Sequence, residues 1–229
     1  SHGQGAETIM HAEAAFMQGR FTDAHIALER AYAQIEGNGQ ENMALCCDFL
    51  ARRLSLFTDI GQRAKLEKRR ERLLAHHNVS WLNLWNAAAA YHHALLGSTD
   101  SIPEAYRRHR LFTVRTLAPG KPMIEMIENQ VYLAQGEYAH VIGRSEGLLT
   151  QCEAMHYALV ALHIRIQTAA AYEMLGKHGE ARALLERALA DAEPDGFALP
   201  FAENFRYLEP LLTERLQSGL TGHIVRLGG

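Results

Sequence analysis

The reactive side chains of this chain are mostly imidazoles, and two pairs of them, His76-His77 and His92-His93, are adjacent in sequence. Neighbouring residues on a helix point about 100° apart, so neither pair can close on one metal ion by itself. Two imidazoles four residues apart would share a helical face, but no His-x-x-x-His occurs, and the three cysteines lack zinc-site spacing. Packed or surface imidazoles and no metal are expected. Lys65, Lys68, Arg69 and Arg72 fall at i, i+3, i+4 and i+7 and form one basic stripe. Nucleic-acid contact is one use of such a stripe. Glu67 and Glu71 interleave with it, so a solvated face, or a docking surface for another domain of a parent protein, fits better. Trp81 and Trp85 stand four apart with Leu84 and Ala88 nearby, a spacing that fills helical interiors more often than it stacks on sugars or rings. Glu203, Glu209 and the other carboxylates form no recognisable acid/base pair. No phosphate loop occurs, since Gly176-Lys177 follows a helical pattern and lacks the Ser or Thr, and no nucleophile elbow occurs either. The expectation is a protein that is not an enzyme and carries no cofactor.

Composition narrows the class further. The chain has 229 residues, 48% of them hydrophobic, enough for one sizeable core or a short repeat array. A net charge of −3 gives no general affinity for nucleic acid. Cys46, Cys47 and Cys152 are too few for a disulfide framework, which points to a reducing, cytoplasmic setting. The longest apolar stretch, Met155 to Leu175, is interrupted by His163, Arg165 and Gln167, so no membrane span is expected.

The elements that must position these groups read as helices throughout. Sustained period-two alternation is missing, so no sheet is expected. Glu7 to Gln18 and Thr22 to Ile35 form one pair of helices about Gly19, with Phe21, Ala24, Leu28 and Ala31 at helical spacing. The same arrangement returns late in the chain, where Gly176, Ala181, Leu185 and Ala188 correspond to Gly19, Ala24, Leu28 and Ala31. Turn glycines fall at 19, 61, 97, 136 and 176, hence at intervals of 42, 36, 39 and 40. Such recurrence marks an array of helical hairpins. The hairpins are expected at about 6–36, 41–76, 79–116, 120–152 and 154–193, in a single domain over 1–229. The third runs from a helix ending at Gly97 into a partner from Pro103 to about Thr116. A C-terminal cap over 197–227 would cover the last apolar face with Phe197, Phe201, Phe205, Tyr207, Leu208, Leu211 and Leu212.

The stretch AYEMLGKHGEARALLERALADAEPDGFALPFAENFRYLEPLL carries the tetratricopeptide pattern and runs into Ala-Glu-Pro-x-Gly-aromatic-x-x-Pro-Phe. With APGKPMIEMIENQVYLAQGEYAHVIGRSEGLL, it resembles the last repeats of the sensor region of large ATP-dependent LuxR-family transcriptional regulators, the maltose-activator-like proteins. The resemblance implies an all-α, right-handed superhelical solenoid of about five tetratricopeptide-like hairpins. The intervals exceed the unit of about 34 residues usual for such repeats, as elongated hairpins would. It also implies a region that senses a small-molecule inducer or a protein partner and relays occupancy to ATPase and helix-turn-helix modules. Neither module is recognisable in these residues, so contact with DNA is expected only through the helix-turn-helix part of a parent protein. Self-association is left open.

Two binding readings follow from the array. One is a sensor that takes an inducer. The other is a tetratricopeptide scaffold that takes a peptide or helix in its concave groove. In hairpins of this kind the first helix of each pair lines the concave side, and positions 6, 10 and 13 before each turn glycine share one face. Polar members of that set include Asp48, Tyr91, Gln130 and His163, the expected ligand-binding residues; the plainer reading is that the set faces solvent in an open curve.

Overall fold

Small residues at helical spacing decide how closely the first helices approach. α1 (Ala6–Met17) and α2 (Phe21–Ile35) turn at Gly19, which sits at φ 75°, where a side chain would be strained. The Arg20 N–H reaches back to the Ala15 carbonyl at 2.8 Å and the Gly19 N–H to Phe16 at 2.9 Å, so the end of α1 is capped without a side chain. Across that turn Ala24, Leu28 and Ala31 are all fully buried. Phe16, Phe21 and Phe57 close the end of this pair, the Phe21 and Phe57 rings stacking at 5.4 Å.

The structure, a computed structural model, describes residues 5–35, 39–59, 63–77, 79–110, 120–214 and 219–229. Among them every regular element is a helix and no strand occurs. None of these helices is long and apolar enough to cross a membrane. The chain divides into two compact units, Ser1–His92 with Pro103–Thr116, and His93–Ile102 with Leu117–Gly229.

In the first unit α3 (Glu41–Leu54) packs on α1 and α2. α4 (Arg63–Ala75) follows, while the expected turn at Gly61 lies outside the described residues. Leu45 of α3, Leu73 of α4, and Trp85 and Ala89 of α5 (Val79–Leu96) share a small apolar cluster, with Trp81 packed against it. Trp85 therefore sits in the core. The guanidinium of Arg52 lies 4.5 Å from its ring centre and that of Arg70 5.6 Å. The expected helix from Pro103 is much shorter than its sequence suggests: α6 spans only Glu104–Arg107. His109 adopts φ 52° and its N–H bonds the Tyr106 carbonyl, while Arg110 bonds Ala105, which closes the helix there. Residues 111–116, where that helix was expected to end, lie outside the described set.

In the second unit α7 (Lys121–Ala134) and α8 (Tyr138–Ala154) turn at Gly136, and α9 (Ala158–Met174) and α10 (His178–Ala192) at Gly176. Pro122, in the first turn of α7, needs no backbone donor. α9 is the hub. It packs against α7, α8, α10, α11 (Leu199–Glu203) and α12 (Phe205–Thr213). Ala181, Leu185 and Ala188 of α10 are as deeply buried as their counterparts in α2. Gly196, at φ 66°, ends the turn after α10 and sends the chain back across the unit. Phe201, Leu208 and Leu212 then enter the core against α9, and α13 (Leu220–Gly228) packs on α11 and α12. Burying a side chain of the size of Phe201 contributes about 1.5–3 kcal/mol, so this return segment is part of the core. α13 lies so close to the Phe205 ring that a Cβ on Gly228 would come within 2.5 Å of it.

Candidate functional site

The structure puts the four residues singled out from the sequence in the interior, two in each unit. Asp48 on α3 has both carboxylate oxygens engaged. The Tyr32 hydroxyl donates to Oδ1 at 2.8 Å and Arg69 Nε donates to Oδ2. Burial raises the Asp48 pKa while Arg69, Tyr32 and Arg52 oppose the rise. Burial, and then Asp48 itself, push the Tyr32 phenol well above its usual range. This cluster ties α2, α3 and α4 together.

Tyr91 is fully buried and meets Phe49 edge to face at 5.6 Å. The Arg53 guanidinium lies between 5.1 and 5.6 Å from the rings of Phe16, Phe49 and Tyr91, a cation held by aromatic faces. Gln130 belongs to a buried chain of amides. Gln167 Nε2 donates to the Met126 carbonyl and to Gln130 Oε1, each at 3.0 Å. Gln130 Nε2 donates in turn to Asn204 Oδ1 at 2.9 Å. His163 stands one helical turn before Gln167 on α9 and is also buried. The face expected to line a concave groove is thus an interior one at these four residues: where Gln130 was expected to meet a ligand, it meets Asn204 at the junction of α11 and α12.

A groove that can receive a ligand lies elsewhere in the second unit. It is lined by the end of α8 (Cys152, Glu153), the turn that follows (His156, Tyr157), the first half of α9 and the end of α10, and it encloses about 640 Å³. That falls within the roughly 300–1,000 Å³ usual for small-molecule sites. Leu159, Ala161, Leu162 and Phe197 supply apolar surface. Beside them Asp191 is held from two directions, by Arg165 Nη1 at 3.0 Å and by Arg187 Nε at 3.3 Å. Glu153 and Asp195 add exposed carboxylates. An apolar floor beside a fixed Arg-Asp-Arg array can seat a hydrophobic body and orient its polar end. Cys152, the thiol of this groove, is buried, and burial raises its pKa, so the thiol form dominates at neutral pH and is a poor nucleophile.

The turn that shapes the groove has a conformation rare outside glycine. His156 sits at φ 56°, its N–H bonded to the Glu153 carbonyl and that of Tyr157 to Cys152, the same cap that Gly136 and Gly176 make. The sequence reading missed this groove. The Arg187–Asp191 pair, four residues apart on α10, was legible, but nothing local linked it to Arg165 or Phe197.

Among the described residues no three His, Cys, Asp or Glu side chains converge where a metal ion could sit. Comparison with protein-family models, with curated proteins and with solved structures found no match for this chain.

Proposed function

We propose that this chain is a sensing module that recognises a ligand and carries no reaction of its own. The observation behind the proposal is the second-unit groove, whose apolar floor and doubly held Asp191 suit recognition and whose thiol is held protonated. The resemblance of Ala171–Leu212 to the last repeats of LuxR-family sensor regions supplies the setting. In that reading, occupancy is relayed to ATPase and helix-turn-helix modules of the kind those regulators carry, and an inducer is the natural occupant. The alternative, a scaffold that takes a peptide or helix, draws on the exposed carboxylates of Glu153 and Asp195 at the groove, which suit a basic side chain.

A thermal-shift screen of metabolites, sugars and short basic amphipathic peptides against the wild-type chain and the variants Leu159→Gln and Asp191→Ala tests both. A ligand present at about 100 times its Kd stabilises the native state by roughly 2.7 kcal/mol, a readily visible shift. Hits that lose their shift in both variants support the groove, and their chemistry separates inducer from peptide. Hits that shift all three proteins equally would remove the groove from consideration.

A further inference from the structure

The second-unit groove carries charges of both signs beside its apolar floor, and they are not equally committed. Asp191 is shared: its Oδ2 accepts from Arg165 Nη1 at 3.0 Å and its Oδ1 faces Arg187 Nε at 3.3 Å. The Arg165 side chain is only 18% exposed, so the bridge to Asp191 holds its guanidinium in one place. The Nε and Nη2 edge of that guanidinium donates to no described residue and is not sealed from solvent, and Arg165 lines the groove. A guanidinium anchored at one nitrogen and open along an edge is set to receive a carboxylate through two parallel N–H bonds.

Glu153, near the end of α8, is the second uncommitted group. It is exposed, and its carboxylate has no ion pair or hydrogen bond among the described residues. Cys152, its neighbour in sequence, lines the same groove, and the Arg165 charge opposes the burial-driven rise of that thiol, so the guanidinium and the end of α8 are near one another. Glu125, which also acts on Cys152, is paired with Lys121 at 3.5 Å. The floor beside these groups is open. Tyr157, Leu159 and Phe197 are each half-buried and present apolar surface to an occupant, whereas Ala161 and Leu162 are already covered.

We infer that the groove takes an apolar zwitterion, an amino acid or dipeptide with an apolar side chain, its carboxylate on the open edge of Arg165, its ammonium at Glu153 and its side chain on Leu159 and Phe197. The inference rests on the reading of this groove as the ligand site and adds the class of ligand. A plain carboxylic acid would meet Arg165 but set another anion beside Glu153 and Asp195, and a plain amine would leave the open edge of Arg165 to water. A neutral sugar would use neither charge. A ligand with both charges uses both, and a guanidinium positioned in advance costs little ordering on binding.

Isothermal titration of the 229-residue chain with L-phenylalanine, leucylphenylalanine, 3-phenylpropionate and phenethylamine at constant ionic strength tests it. The expected result is saturable one-to-one binding of a zwitterion at least about tenfold tighter than either singly charged analogue, since each analogue forfeits one charge-assisted contact. The tighter of the two zwitterions identifies the free amino acid or the dipeptide as the source. Glu153→Gln should weaken the zwitterion at least about fivefold and leave 3-phenylpropionate unchanged or tighter, a split that misfolding would not produce. Arg165→Lys keeps the charge but loses the planar fork, and should weaken the zwitterion and 3-phenylpropionate alike. A singly charged analogue that binds as tightly as the zwitterions, and is lost in Leu159→Gln, would overturn the inference and leave the groove a ligand site. Zwitterion binding untouched by Leu159→Gln and Glu153→Gln would overturn both readings. No saturable binding of either zwitterion would overturn the inference alone, and the thermal-shift screen would then decide the groove.

Discussion

Replacing Gln130 with alanine should destabilise the second unit far more than its polar character suggests. The side chain is almost fully buried and spans two partners, accepting from Gln167 Nε2 at 3.0 Å and donating to Asn204 Oδ1 at 2.9 Å. Its removal leaves one N–H of Gln167 and the Asn204 oxygen unpaired. Gln167 and Asn204 are themselves fully buried. A buried polar group without a partner costs about 1–3 kcal/mol. Gln167 keeps its bond to the Met126 carbonyl and Asn204 its 3.4 Å contact with Pro200, and a water entering the vacated volume would mend part of the loss. The expected net cost is about 2–4 kcal/mol, or a fall of roughly 5–12 °C in the melting midpoint for a chain of this size. Circular dichroism at 222 nm follows both units, whereas tryptophan fluorescence reports the first unit, which contains Trp81 and Trp85. The loss should therefore appear in the dichroism trace. Gln130→Leu restores volume without hydrogen bonds and should remain at least about 1–2 kcal/mol below wild type, because both partners stay unpaired. A Gln130→Ala midpoint within 1 °C of wild type, or a Gln130→Leu protein as stable as the parent, would refute the reasoning.

Two further outcomes follow from local geometry and from burial. His156→Gly should raise stability by about 0.5–1 kcal/mol, since a left-handed residue other than glycine costs about 1–2 kcal/mol and glycine returns only part of that in unfolded-state entropy; the His156 ring is exposed, so no packing is lost, and a lower melting temperature would contradict the argument. The Cys47 thiol, fully buried, is pushed up to about 12 by burial and then by Asp48. The unfolded chain then releases this proton first, and stability should fall as pH climbs from about 9 toward about 12, at no more than about 1.4 kcal/mol per pH unit from this group. Urea titrations across that range should show a shallower alkaline decline in Cys47→Ala, and parallel curves for the two proteins would rule Cys47 out as a cause.

Much of the helical content was legible because it is written in local spacing. Ala24, Leu28 and Ala31, and their counterparts Ala181, Leu185 and Ala188, recur every three or four residues, and all six are buried as that period requires. Gly19, Gly97, Gly136 and Gly176 mark helix ends at positive φ for a reason the residue type already contains. His109 and His156 close helices in the same way, yet histidine is only modestly favoured there, so α6 ends at Arg107 where the sequence suggested a long helix. The site was decided by tertiary structure. The same helical face that puts Gln130 and His163 on one side of their helices is equally consistent with solvent and with core. Only the return of α11 and α12 across α9, which brings Asn204 to Gln130 from 74 residues away, turns that face inward. The groove likewise joins Cys152 and Asp191 from two helix ends, Arg165 from the middle of α9 and Phe197 from a turn. Periodicity determines which residues share a face of one helix, because backbone geometry repeats every few residues. What covers that face depends on contacts between distant segments, whose free energies no local pattern records.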